Sequence, residues 1–130
     1  RVLVHEQQVE AATGFIKAMM EATPVGDPLA EGQHIGPVVN RAQWEKIQGL
    51  IQSAIDEGAT LVTGGTGLPE GVNRGFYIRP TLFRDVTPDM RIAQEEVFGP
   101  VATIMTYRDE ADGIRIANDT AYGLSATISG

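Results

Sequence analysis

The stretch from Asn40 to Gly58 limits the fold of this chain more than any other. Asn40 is a favourable N-cap, and Gln43 three residues later completes a capping-box pattern, in which each side chain serves the other residue's backbone N–H. Trp44, Ile47, Ile51, Ala54 and Ile55 then fall on one stripe at helical spacing, and Gly58 supplies a left-handed stop. A helix with one apolar stripe needs a second layer to bury it. Thr60-Leu61-Val62-Thr63 follows at once and reads as a short strand of that layer. Trp44 is expected to be a packing residue of the helix.

The remainder alternates in the same way. Val9, Ala12, Ile16 and Met19 or Met20 recur every three or four residues, which predicts an amphipathic helix from Gln7 to Glu21, ended by Thr23-Pro24-Val25-Gly26. A polar loop from Asp27 to Val38 contains His34. Gly64-Gly65-Thr66-Gly67 follows the strand, but no helix or Lys-Ser/Thr comes after it. It therefore has neither dinucleotide nor P-loop spacing and reads as a flexible surface turn. Phe76 to Phe83 is aromatic and apolar with Pro80 inside, which predicts an edge or interrupted strand. Thr87-Pro88-Asp89 suits a short helical turn through Ala93. Val101 to Tyr107 is β-rich, and Asp109 with Asp112 caps a helix carrying Ala111, Ile114 and Ala117. Ser125 to Gly130 reads as a last strand. Helices between apolar strands predict an α/β fold, an open sheet with flanking helices.

With 130 residues the chain fits one domain. Its two ends read as cut: Arg1 leads straight into apolar Val2-Leu3-Val4, and Ser125 to Gly130 stops within a strand, so a piece of a longer polypeptide is expected. A net charge of −7 argues against non-specific binding to nucleic acid or anionic membranes. No apolar run approaches the ~20 residues of a membrane span, and nothing reads as a signal peptide. The absence of cysteine excludes disulfides, thiolate metal sites and a thiol nucleophile within these residues. His5 and His34 lack metal-ligand spacing, and no metal site is expected.

Glu95-Glu96-Val97-Phe98-Gly99-Pro100-Val101 sets two acids and an aromatic ring before a Gly-Pro break. The residue before proline avoids the helical region, so the segment is expected to be extended or turned. Residues i and i+2 of an extended segment share a face. Glu96 and Phe98 would then project together, with Glu95 turned away. A carboxylate only accepts hydrogen bonds, which suits two neighbouring sugar hydroxyls, and a phenyl ring beside it can pack on the sugar or a flat ring. The competing reading is a solvated acidic turn with Phe98 in the core.

This heptapeptide closely resembles the E-x-F-G-P motif of the aldehyde dehydrogenase superfamily. The resemblance covers essentially the whole chain. Val25-Gly26-Asp27-Pro28, Gly36-Pro37, Glu57-Gly58-Ala59 with Gly64-Gly65, and Gly75 to Phe83 resemble family blocks in the family's order. So does Ala117-Asn118-Asp119-Thr120-Ala121-Tyr122-Gly123-Leu124-Ser125-Ala126. The resemblance implies a single partial domain over residues 1–130, a segment of the catalytic domain that starts a few residues after the nucleophilic cysteine. It implies that Glu96 and Phe98 contact the nicotinamide ribose of NAD or NADP. No catalytic residue is carried over, since the cysteine, the general-base glutamate and the oxyanion-hole asparagine are absent from this sequence. In the implied intact enzyme a thiolate attacks an aldehyde, hydride passes to nicotinamide, and water releases the acid. A cytoplasmic homo-oligomer with a small-molecule aldehyde substrate, and with neither nucleic acid nor membrane as partner, is the corresponding expectation. The alternative is a non-catalytic α/β binding or assembly module on the same scaffold.

Overall fold

The computed structural model describes residues 1–32 and 34–129. Four short strands form one sheet: β1 (Val2–His5), β2 (Thr60–Thr63), β3 (Thr81–Arg84) and β4 (Val101–Tyr107). Their order is β1–β4–β3–β2, with β4 parallel to both β1 and β3 and β2 antiparallel to β3. The helices are α1 (Val9–Ala22), α2 (Arg41–Asp56), the single turn α3 (Arg91–Gln94) and α4 (Glu110–Asn118). The α/β open sheet with flanking helices is thus observed.

Side-chain alternation along the strands sorts the helices onto the two faces. Val2, Val4, Leu82, Ala102 and Ile104 meet Val9, Ala12, Ile16 and Met20 of α1. Leu3, Phe83, Val101, Met105 and Tyr107 face a larger core built from Ile47, Ile51 and Ala54 of α2, Ile92 of α3 and Ile116 of α4. Met20, not Met19, completes the α1 stripe, and Met19 is exposed. Gly58 takes φ +95° just beyond α2, as the predicted stop requires. Trp44 packs on the core and its Nε1 donates to the Tyr77 carbonyl at 2.8 Å.

Two expected strands are corrected. Of the edge or interrupted strand expected over Phe76 to Phe83, the edge is wrong: β3 begins only at Thr81, after the break at Pro80, and lies inside the sheet between β4 and β2. Pro80 has no N–H to give a ladder, so pairing starts with the next residue, whose N–H donates to the Pro100 carbonyl at 2.9 Å. Residues 125–129 form no strand; they join no ladder, and Ile128 is exposed. Gly130 lies outside the described residues. Among the described residues no helix is long and apolar enough to cross a membrane. No cluster of three or more His, Asp or Glu suits a metal ion among them.

The glycine turn after β2 is clamped, not free. Gly64 has φ +84°, and a Cβ there would lie 2.3 Å from the Pro80 carbonyl oxygen. Next to it, the Gly65 N–H donates to Thr81 Oγ1 at 3.1 Å, and Thr81 Oγ1 donates to the Arg79 carbonyl at 2.7 Å. Gly71 has a similar φ of +75° but nothing within 4 Å of its would-be Cβ. Gly71→Ala should therefore cost only the backbone term, about 1–2 kcal/mol. Gly64→Ala adds a backbone collision and should cost more than about 3 kcal/mol. Chemical denaturation of both variants measures the difference.

The acid that follows β4 is tied to its own helix. Asp112 accepts from Arg115 Nη2 at 2.8 Å and from the Arg108 side chain and backbone N–H, each at 3.2 Å. These hydrogen bonds bring its carboxyl down to about 2. Since folding lowers this pKa, the stabilisation is complete above the ordinary carboxylate range and fades as pH falls through about 2. Asp112→Asn should be less stable than the parent at neutral pH. The gap should close between about pH 4 and about pH 2 in urea titrations followed by circular dichroism.

Candidate functional site

The chain leaves α3 in extended form at Glu95 (φ −108°, ψ 144°). Three residues later Phe98 takes φ +51°, the left-handed region that a residue with a Cβ seldom occupies. Gly99 then passes so close to α2 that a Cβ would lie 2.7 Å from Ile47 Cδ1. A side chain here would have to push the end of the Ile47 side chain aside. Of the two expected forms, extended or turned, a turn is found at Phe98, so the two-residue repeat of an extended segment does not set its face.

The first turns of α2 hold this bend. Gln43 Nε2 donates to the carbonyls of Val97 (2.9 Å) and Phe98 (3.2 Å), and Lys46 Nζ donates to the carbonyl of Glu96 (2.9 Å). Only half of the expected capping box forms. Asn40 Oδ1 accepts from the Gln43 N–H at 2.9 Å, but the Gln43 side chain crosses to the bend and does not return to Asn40.

The two acids have different settings. Glu95 Oε1 accepts from Arg91 Nε at 2.6 Å, and this hydrogen bond, with the guanidinium charge, holds its carboxyl below the usual range. The Glu96 carboxylate makes no hydrogen bond or ion pair among the described residues; only its carbonyl is engaged. Phe98 is 67% exposed, so it is not a core residue. Glu95, Glu96 and Phe98 line an open cleft of about 380 Å³, to which Thr120, Tyr122 and Leu124 contribute from beyond α4. Arg1, Val101 and Thr103, at the starts of β1 and β4, complete this side of it.

Helix ends position the far segment. The Arg1 guanidinium donates to the carbonyls of Ile116 (3.3 Å) and Ala117 (3.1 Å), a cation on the exposed C-terminal carbonyls of α4. Gln94 Nε2 links the carbonyls of Pro88 (2.6 Å) and Asp119 (3.0 Å). Residues 120–125 leave from this anchored point. Sequence reasoning missed Gln43 and Lys46, whose partners are distant in the chain, and assigned no site role to Thr120, Tyr122 or Leu124.

An acceptor-only carboxylate without an internal partner, beside an exposed phenyl ring, fits a hydroxyl-rich sugar that carries a flat ring. The histidines lie apart from this chemistry. His5 Nδ1 accepts from the Gln7 N–H at 3.2 Å while Nε2 lies 2.9 Å from the Arg108 carbonyl, a structural role. His34 packs against Gly26 and Gly32 in the loop.

Known proteins resemble this chain in sequence and fold. The aldehyde dehydrogenase family profile matches residues 1–130. A Staphylococcus haemolyticus protein named for that family is 45% identical over 130 residues, which is all of this chain and 27% of that protein. An aldehyde dehydrogenase from Bartonella henselae superposes with TM-score 0.92 at 54% identity, over 94% of this chain and 26% of that one. A Mycobacterium tuberculosis aldehyde dehydrogenase complexed with NAD+ gives TM-score 0.91 at 44% identity, over 95% of this chain and 26% of that one. An aldehyde dehydrogenase C mutant from Pseudomonas syringae, in complex with NAD+ and octanal, gives 0.91 at 41%, over 94% and 25%. The chain spans 27% of the length of the curated relatives it matches.

Proposed function

This chain belongs to the aldehyde dehydrogenase family, and on that premise we propose that residues 1–130 form one partial catalytic domain of an NAD(P)-dependent enzyme that oxidises an aldehyde to a carboxylic acid. Within the longer protein this segment supplies contacts to the nicotinamide ribose. The observation that carries the reading is the Glu96 carboxylate, free of internal partners and lining the same cleft as Phe98.

Glu96 accepts from the ribose hydroxyls and fixes the sugar; Phe98 packs against the sugar or ring and limits its swing. Glu95, paired with Arg91, stays out of this contact. The bound nicotinamide supplies the two-electron acceptor, and orienting it is the task of this wall. Relatives complexed with NAD+, one of them also with octanal, support the cofactor and substrate class. The net charge of −7 supports a small-molecule partner over nucleic acid or membrane. We further propose a homo-oligomer in the cytoplasm; Phe15 and Met19, exposed on α1, leave an apolar surface to be covered by the rest of the protein or by a second copy.

A polypeptide of these 130 residues alone, given aldehyde and either cofactor, should form no reduced nicotinamide, because it has no cysteine. Turnover above a buffer blank would place the chemistry elsewhere. In the full-length protein, Glu96→Gln keeps one acceptor but loses the charge. It should weaken the contact by about 1.5 kcal/mol and slow the single-turnover burst on the order of tenfold. Glu95→Gln should slow it much less. Equal effects at the two positions would reject the assignment.

A further inference from the structure

We propose that Gln43 is a positioning residue for this reaction: its amide latches the backbone at Phe98 in the left-handed conformation that stands the ring in the cleft. The inference rests on the reading of Phe98 as a cofactor contact. The ring itself does not hold this conformation, since it is 67% exposed. A residue with a Cβ at φ +51° persists only where its surroundings impose that angle. The Gln43 amide supplies that constraint: it binds two successive carbonyls, those of Val97 and Phe98, on either side of the Phe98 φ rotation. Both partners are acceptors, so only the NH₂ end can face them. Lys46 fixes the preceding carbonyl, and the packing of Gly99 on Ile47 fixes the following residue.

The base of the latch is rigid. The Gln43 N–H is held by Asn40, and one turn on, Ile47, Leu50 and Ile51 are fully buried. Movement of the bend away from α2 would break both amide bonds together. Phe98 would then relax toward ordinary backbone angles and carry its ring out of register with Glu96.

Gln43→Glu in the full-length protein separates this role from helix stability. The substitution is nearly isosteric; it removes the donor and sets a carboxylate against the two carbonyl oxygens, which repels the bend. An acid in the first turn, able to complete the capping box, favours the helix, so thermal stability should be unchanged or higher. Fluorine NMR of cofactor-free enzyme carrying a fluorinated phenylalanine at Phe98 should show the resonance shifted or split. The single-turnover burst should slow about tenfold. Gln43→Arg, which restores a two-pronged donor, should recover both signals in part. An unchanged resonance, or an unchanged burst, in Gln43→Glu overturns the proposal. If the cofactor reading itself is at fault, Glu96→Gln will be silent in the burst while the Phe98 resonance still responds to Gln43→Glu.

Discussion

Burial of the Ile47, Leu50, Ile51 and Ala54 stripe of α2 fixes where almost every other part of this molecule lies. Each of the three large side chains is fully removed from water, worth about 1.5–3 kcal/mol apiece. Their partners include Phe83 of β3 and Met105 of β4, the two central strands. Once α2 is seated there, its first turns are carried to the bend that precedes β4. The same helix thus closes the core with one stripe and grips Glu96, Val97 and Phe98 with Gln43 and Lys46. Core and cleft have a common foundation, and loss of the stripe would remove both.

Polar groups in the cleft are divided between scaffold and ligand chemistry. Arg91 and Glu95 satisfy one another, Arg1 closes the end of α4, and Gln94 joins two loops. These side chains are occupied and set positions. Glu96 is left with an acceptor to offer, and Phe98 with an uncovered face.

The sequence showed local periodicity well and distant partners poorly. The stripe of α2, the stop at Gly58, the strand from Val101 and the Asp109 cap of α4 depend on residues a few positions apart, and each is present, except that Ile55 of the expected stripe is exposed and Leu50 is buried in its stead. β2 was equally plain as a short strand, though not its antiparallel pairing at the sheet edge. The place of β3 was not: Pro80 suggested an edge, whereas the strand starts just after the proline and sits inside the sheet. For the cleft, Glu96 and Phe98 stood out through residue type and motif. The shape that presents them did not, because the left-handed turn at Phe98 is imposed by residues far away in sequence. Gln43 shows the difficulty most directly. Its side chain suits the Asn40 cap three residues back, yet it binds carbonyls 54 and 55 residues ahead.

The Gly64-Gly65 turn shows what a glycine-rich loop can become in a folded protein. Such loops attract attention because bare amides can surround a phosphate. Here the Gly65 amide already has an oxygen before it, the buried hydroxyl of Thr81, and the absent side chain at Gly64 makes room for the Pro80 carbonyl. The chain acts as its own ligand at this point. A foreign anion would have to displace a covalently tethered oxygen that is already in place. The turn that looks most like a nucleotide cradle is thereby closed to nucleotides.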